Sequence, residues 1–151
     1  MNTLTNALVL LGFFAFMEGV AWFTHKYVMH GFLWIWHKSH HEPRKGVFEL
    51  NDLFGFMFAI PSIVLIVLGS DGFTWHFFAG IGIALYGLAY FLVHDVFVHQ
   101  RVKWLKTTNI SYFRAMRLTH HLHHAVHSKN GAEAFGFLLV LPKFYRRFHA
   151  K

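Results

Sequence analysis

The chain contains no cysteine. Thiolate zinc sites, iron–sulfur clusters and disulfides are therefore excluded. Charge is scarce as well: Asp, Glu, Lys and Arg make up 14% of the 151 residues, against roughly 25% in ordinary globular chains. A soluble domain of this length would struggle to cover its surface with so few charges, and a membrane protein has no need to. Lys and Arg are missing from residues 1–25 and 46–100. The net charge of +7 is confined to Lys26, Lys38, Arg44, Lys45, the stretch Arg101 to Arg117, Lys129 and the tail Lys143 to Lys151. That is the loop pattern of an integral membrane protein, not a basic stripe for nucleic acid. There is no GxGxxG, flavin or haem signature, so any electrons used in catalysis come from outside the chain. No internal repeat or low-complexity linker stands out, and the length suits one domain, 1–151.

What is abundant is apolar. Hydrophobic residues reach 55%, with nineteen Phe. Residues 3–24 form a run with a single charge, Glu18, and about 20 such residues span a bilayer. A cleavable signal would need a basic start and a small-residue cleavage site; this run has neither and leads straight into histidines, so a retained span is expected. Glu18 should face the protein interior, lining a path or pairing with a hydroxyl. Residues 53–70 make a second span, with Pro61 as an expected kink, and 73–93 a third. Ser70, Asp71 and Gly72 join these two as a hairpin, expected to pack through Gly80, Gly82 and Gly87. A fourth apolar stretch, 132–142, covers only roughly 16 Å at about 1.5 Å per residue, too short to cross, so it should be a half-membrane or interfacial segment ended by Pro142. The expected fold is all-α: an integral membrane helical bundle with three full transmembrane helices, a short fourth apolar segment and a cytoplasmic histidine-rich cap. The positive-inside rule puts the N-terminus outside and every basic segment in the cytoplasm.

Ten of the fourteen histidines fall in four clusters: His25-x4-His30, His37-x2-His40-His41, His94-x4-His99 and His120-x2-His123-His124. Topology gathers all four at one membrane face. At about 100° per residue, His30, His37, His40 and His41 share one helix face with His25 at its edge, which predicts that the first span runs on as one long helix to Pro43. His94 and His99 fall about 140° apart, which is wide, though two ions or a distorted turn could accommodate it. His120, His123 and His124 lie within roughly 100°, with His127 on the same face. One ion takes about three or four protein ligands, so ten imidazoles are too many for one and about right for two. Amphipathic interfacial histidines explain one such pair but not four clusters. A metal transporter would place its ligands near mid-span. Imidazole suits iron and zinc alike, but zinc cannot change oxidation state, and no hydrolytic nucleophile stands beside the clusters. Iron, able to activate O2 against an unactivated C–H bond, fits a lipid-soluble substrate better.

The strings HKYVMHGFLWIWHKSHH (25–41), HDVFVHQR (94–101) and HHLHHAV (120–126), with FELNDLF (48–54) and the FGF of 135–137, resemble the bacterial β-carotene 3-hydroxylases. These form the carotenoid branch of the fatty acid hydroxylase superfamily, and the resemblance covers about residues 20–140. It implies a multi-pass protein of the bacterial inner membrane with its site on the cytoplasmic side. It implies a non-haem di-iron monooxygenase that converts β-carotene to β-cryptoxanthin and zeaxanthin by hydroxylating C3 of the β-ionone rings. Two iron ions, O2 as co-substrate and two electrons per turnover from a ferredoxin-type donor go with it; zinc is an expected substitute in a crystal. The implied metal ligands are His25, His30, His37, His40, His41, His94, His99, His120, His123 and His124. His121 stands where the motif leads one to expect a base such as Arg.

A ligating histidine usually donates its other N–H to a carboxylate or carbonyl. Asp95, Asp52, Asn51 and Glu49 are candidates for that task, with helix capping as the alternative for Asn51 and Asp52; His127 extends the last cluster. His76 reads as an interfacial residue on the outer side, and His149 as part of a solvated tail. Arg101, Lys103, Lys106, Arg114, Arg117, Arg146 and Arg147 make a basic cytoplasmic face suited to an acidic ferredoxin, or one that merely sets topology. Two other functions stay open from the residues alone: a fatty acyl or sterol hydroxylase or desaturase, and a non-enzymatic histidine-rich membrane metal-binding protein.

Overall fold

A computed structural model describes residues 2–43, 46, 48–102 and 107–149, with side chains to 146. Among these residues every regular element is helical. α1 (Thr3–Phe23) starts at Asn2, whose side chain accepts the Thr5 N–H at 2.8 Å. It continues through a π-helical segment (Thr24–Phe32) into α2 (Trp34–His41). A 3-10 turn (Leu50–Asp52) opens α3 (Leu53–Ser70), which is followed by α4 (Trp75–Tyr90) and a second π-helical segment (Phe91–Val98). α5 (Ser111–His124) and α6 (Pro142–His149) complete the order. Three stretches are long and apolar enough to cross a membrane: Thr3–Phe32, Leu50–Ser70 and Trp75–Val98. Their exposed faces carry Leu4, Leu8, Phe16, Phe56, Ile60 and Val67, side chains that cost nothing against lipid.

α4 is the central helix, held between α1 and α3. Glycine permits both contacts. A Cβ on Gly82 would lie 2.5 Å from the Leu10 carbonyl of α1, and one on Gly80 2.7 Å from the Ser62 carbonyl of α3. Small residues let apolar helices approach closely in this way. The Ser62 hydroxyl adds a 2.8 Å bond to the Gly80 carbonyl. The expected hairpin seam needs correcting in two places. Gly82 serves α1 rather than α3, and Gly87 meets nothing within 4 Å, whereas Gly69 packs on the Phe77 backbone. Pro61 lies inside α3.

The long helix expected to run to Pro43 is not continuous. Its backbone leaves helical geometry at Gly31 (φ −103°, ψ −124°) and restarts at Trp34. Residues 132–141 form no helix, with bends at 137 and 138 and hydrogen bonds to Glu18 of α1 and Tyr112 of α5, and the apolar stretch ends where Pro142 opens the polar α6. Pro suits that first helical position because its missing N–H would be unpaired there anyway.

Candidate metal centre

His25, His30 and His94 sit on the π-helical segments and His99 caps the second one; in such segments hydrogen bonds run from residue i to i+5. The His99 N–H accordingly reaches the His94 carbonyl at 2.9 Å, and the Leu33 N–H the Val28 carbonyl at 3.0 Å. A spacing of five, about 140° apart on an α-helix, becomes a spacing that stacks. The two His-x2-His-His motifs sit on the α-helices α2 and α5, where four residues return to the same face.

The ten motif histidines separate into two groups of five, with one nitrogen per ring all within 4.8 Å of one another in each group. The first holds His25, His30, His37, His41 and His123; the second holds His40, His94, His99, His120 and His124. Each His-x4-His motif gives both of its histidines to one group. Each His-x2-His-His motif gives its first and last histidine to one group and its middle one to the other. α2 and α5 thereby cross-link the two groups, which adjoin where the His41 and His124 rings stack at 4.5 Å.

Ring orientation is fixed through Nδ1. In the first group Nδ1 of His25, His30, His41 and His123 donates to the main-chain carbonyls of Phe135 (3.0 Å), Lys129 (3.0 Å), Val126 (2.8 Å) and Glu133 (2.7 Å). His37 Nδ1 bonds Asn51 Oδ1 at 2.7 Å. In the second group Nδ1 of His40 donates to Glu49 (3.0 Å) and that of His94 to Asp95 (3.3 Å). Carbonyls and carboxylates only accept, so Nδ1 carries the proton and Nε2 the lone pair. The Nε2 atoms nevertheless face each other: His25–His37 at 3.1 Å, His30–His123 at 3.2 Å and His40–His94 at 3.1 Å. Lone pairs aimed together at that range repel unless a cation lies between them. His124 Nε2 is also buried without a hydrogen-bond partner. The donor set therefore fits metal ions.

Burial keeps these rings neutral, as metal ligands must be. Desolvation pushes His37 and His99 down to about 2, His123 to about 3 and His41 to about 4. His40, His120 and His124 are lowered by the same cause, with neighbouring imidazoles adding to it.

The candidate second-layer residues divide. Arg101 gathers three of them: its Nε lies 2.9 Å from Asp95, one terminal nitrogen 2.9 Å from Asp52 and the other 3.2 Å from Glu49. Asp52 also accepts the Glu49 N–H at 2.9 Å, so it caps the turn and holds Arg101 at once. Asn51 takes no capping role and is committed to His37. His127 is exposed and belongs to neither group, as does His121, so neither displaces a motif histidine. Two of the basic-face residues make internal contacts. Arg101 is spent on the carboxylates, and Arg117 donates to the Phe97 carbonyl at 2.8 Å; Lys103 and Lys106 lie outside the described residues. His76 is at the opposite end of α4, stacked on Trp75 at 3.9 Å.

A cavity of about 340 Å³ opens beside the second group, lined by His94 and His120 and otherwise chiefly by apolar residues such as Trp22, Val93, Met116 and Phe137. Sequence reasoning missed Arg101 as an organiser and the carbonyls of 126–135 as acceptors. The arginine had a signal, since it lies two residues past His99; main-chain carbonyls have none.

The fatty acid hydroxylase family model matches residues 10–149, a range that takes in both groups. The chain belongs to the fatty acid hydroxylase family. Within 135 aligned residues it is 48% identical to a β-carotene hydroxylase of Pseudescherichia vulneris, covering 89% of this chain and 77% of that one. It is 47% identical to one from Pantoea ananas over 137 residues, covering 91% and 78%. A chloroplastic β-carotene 3-hydroxylase of Arabidopsis thaliana is 42% identical over 112 residues, 72% of this chain and 37% of its own length. No solved structure matches. This family member is a hydroxylating enzyme, and its histidine groups are its candidate metal-binding residues.

Proposed function

We propose that the chain, as one domain over 1–151, is a di-iron monooxygenase that hydroxylates C3 of the β-ionone rings of β-carotene. The observation that carries this reading is the pair of five-imidazole groups whose lone pairs converge, one of them bordering an apolar cavity. Names of relatives at up to 48% identity support the carotenoid. The ten motif histidines would hold the two irons, which supply O2 activation and C–H oxidation. The overall balance is R–H plus O2, two electrons and two protons to R–OH and water.

The rest falls to the chain's own side chains. Trp22, Val93, Met116 and Phe137 clasp an apolar ring and exclude water beside His94 and His120. The Nδ1 bonds hold every anchored imidazole as one tautomer, so no ring must reorient during turnover. Glu49 and Asp95 make His40 and His94 stronger electron donors, as a carboxylate partner does for a ligating imidazole. Electrons come from a ferredoxin-type donor at the cytoplasmic face, and the enzyme lies in the bacterial inner membrane. Expression in a β-carotene-accumulating bacterium tests the reading: pigment chromatography should show β-cryptoxanthin and zeaxanthin with the wild type and neither with His37→Ala or His120→Ala. Unchanged β-carotene with the wild-type protein present in the membrane would overturn it.

A further inference from the structure

Glu18 lies on α1 within the apolar run, where an unpaired carboxylate is costly. Five hydrogen bonds satisfy it. Oε1 accepts the main-chain N–H groups of Phe137 (3.1 Å), Leu138 (3.1 Å) and Leu139 (3.0 Å). Oε2 accepts the Tyr86 hydroxyl at 2.7 Å and shares the Leu138 N–H at 3.1 Å. Three consecutive amides turned toward one anion make a nest, and in a segment without helix or sheet those amides have no regular partner of their own. A Cβ on Gly136 would stand 3.3 Å from Oε1, so glycine there leaves the carboxylate its room.

The pinned segment does two further things. Immediately upstream, the Glu133 and Phe135 carbonyls orient His123 and His25. Between them Ala134 adopts φ +63°, a left-handed conformation that a residue with a Cβ holds only when its surroundings impose it. Within the segment, Phe137 stacks on His25 at 5.0 Å and 13° and packs against Tyr90 at 4.5 Å. Gly136, Phe137 and Leu139 line the cavity together with Glu18 itself.

We propose that Glu18 is a positioning residue: its carboxylate, steadied by Tyr86, pins residues 133–139 and through them sets the rings of His25 and His123 and the cavity wall beside His94. This rests on the metal-centre reading above. The role depends on reach and acceptor geometry rather than on charge. Glutamine keeps the reach and, with its carbonyl oxygen in place of Oε1, the acceptor for all three amides; its amide group replaces Oε2, donating to the tyrosine oxygen and giving up only the second, shared contact to the Leu138 N–H. Aspartate keeps the charge but falls short by one methylene, about 1.5 Å.

The test is metal release from purified, iron-loaded protein under chelator challenge, with Glu18→Gln and Glu18→Asp compared at equal membrane yield. Glu18→Gln should release iron within about threefold of the wild-type rate. Glu18→Asp should release part of its iron at least about tenfold faster, the scale on which loss of a group orienting a metal ligand acts. Wild-type release from Glu18→Asp, or the reverse order with glutamine the leakier, would overturn the proposal. If Glu18→Asp does not accumulate, Tyr86→Phe carries the test. It should speed release severalfold, and wild-type release would overturn the proposal equally. A wild-type protein that takes up no metal would instead remove the metal-centre reading, and the proposal with it.

Discussion

Asp95 and Glu49 hold imidazoles of the second histidine group, whereas neutral amide oxygens hold those of the first. The two groups are thus alike in ligand type and unlike in what stands behind the ligands. Asp95→Asn and Glu49→Gln should each weaken metal binding about 10- to 100-fold, and titration with chelator should show the loss confined to one of two ions. Arg101→Gln should act in the same direction by releasing Asp95, Glu49 and Asp52 together. The buried histidines also predict a pH dependence for the metal-free protein. Their folded pKa values lie below the unfolded value of 6.5, at about 4 for His41 and about 3 for His123. Below pH 6.5 the unfolded chain binds the protons and the folded one does not, so stability present at pH 7 is lost as pH falls from about 6.5 toward 4. Each such histidine contributes a slope of up to about 1.4 kcal/mol per pH unit. A thermal midpoint of the metal-free protein that stays flat from pH 7 to 4.5 would contradict this.

At the scale of elements, run length and charge placement made the spans legible. The expected 53–70 is the observed Leu53–Ser70, and the expected 3–24 ends one residue past α1 (Thr3–Phe23). Periodicity failed where the helix changed type. At a fixed α-helical advance His94 and His99 diverge, and only a π-helical turn stacks them; the recurrence of the same five-residue spacing in two motifs was the available signal. Glycine packing was legible in kind but not in partner, because sequence does not say which neighbour a small residue faces. Gly80→Leu should force α3 and α4 apart, costing about 1–3 kcal/mol or more, since its Cβ already meets Ser62 and Ile66 atoms at 2.7 Å. Gly87→Ala, with nothing within 4 Å, should leave the melting temperature unchanged or slightly raised. Equal loss in both variants would refute the assigned seam.

Across the whole molecule, the histidine groups collect at one end of the three apolar helices, and the Asp71–Thr74 connection lies at the other. A reporter fused at 70–72 should read periplasmic and one at the C-terminus cytoplasmic; the reverse would overturn the proposed orientation. The ten histidines of the two candidate groups could be picked out from their clustering, but their division into two fives could not. That division depends on α2 and α5 exchanging their middle histidines, a relation among helices that no single motif encodes. The same holds for the main-chain partners of Glu18, which lie 119 to 121 residues away. The most direct test of the account is the metal-to-protein ratio of the purified, iron-loaded chain. Two ions per chain are predicted for the wild type. His37→Ala, in the first group, and His120→Ala, in the second, should each lower the ratio to about one. A wild type without transition metal, or two ions retained in both variants, would contradict the two-group metal centre.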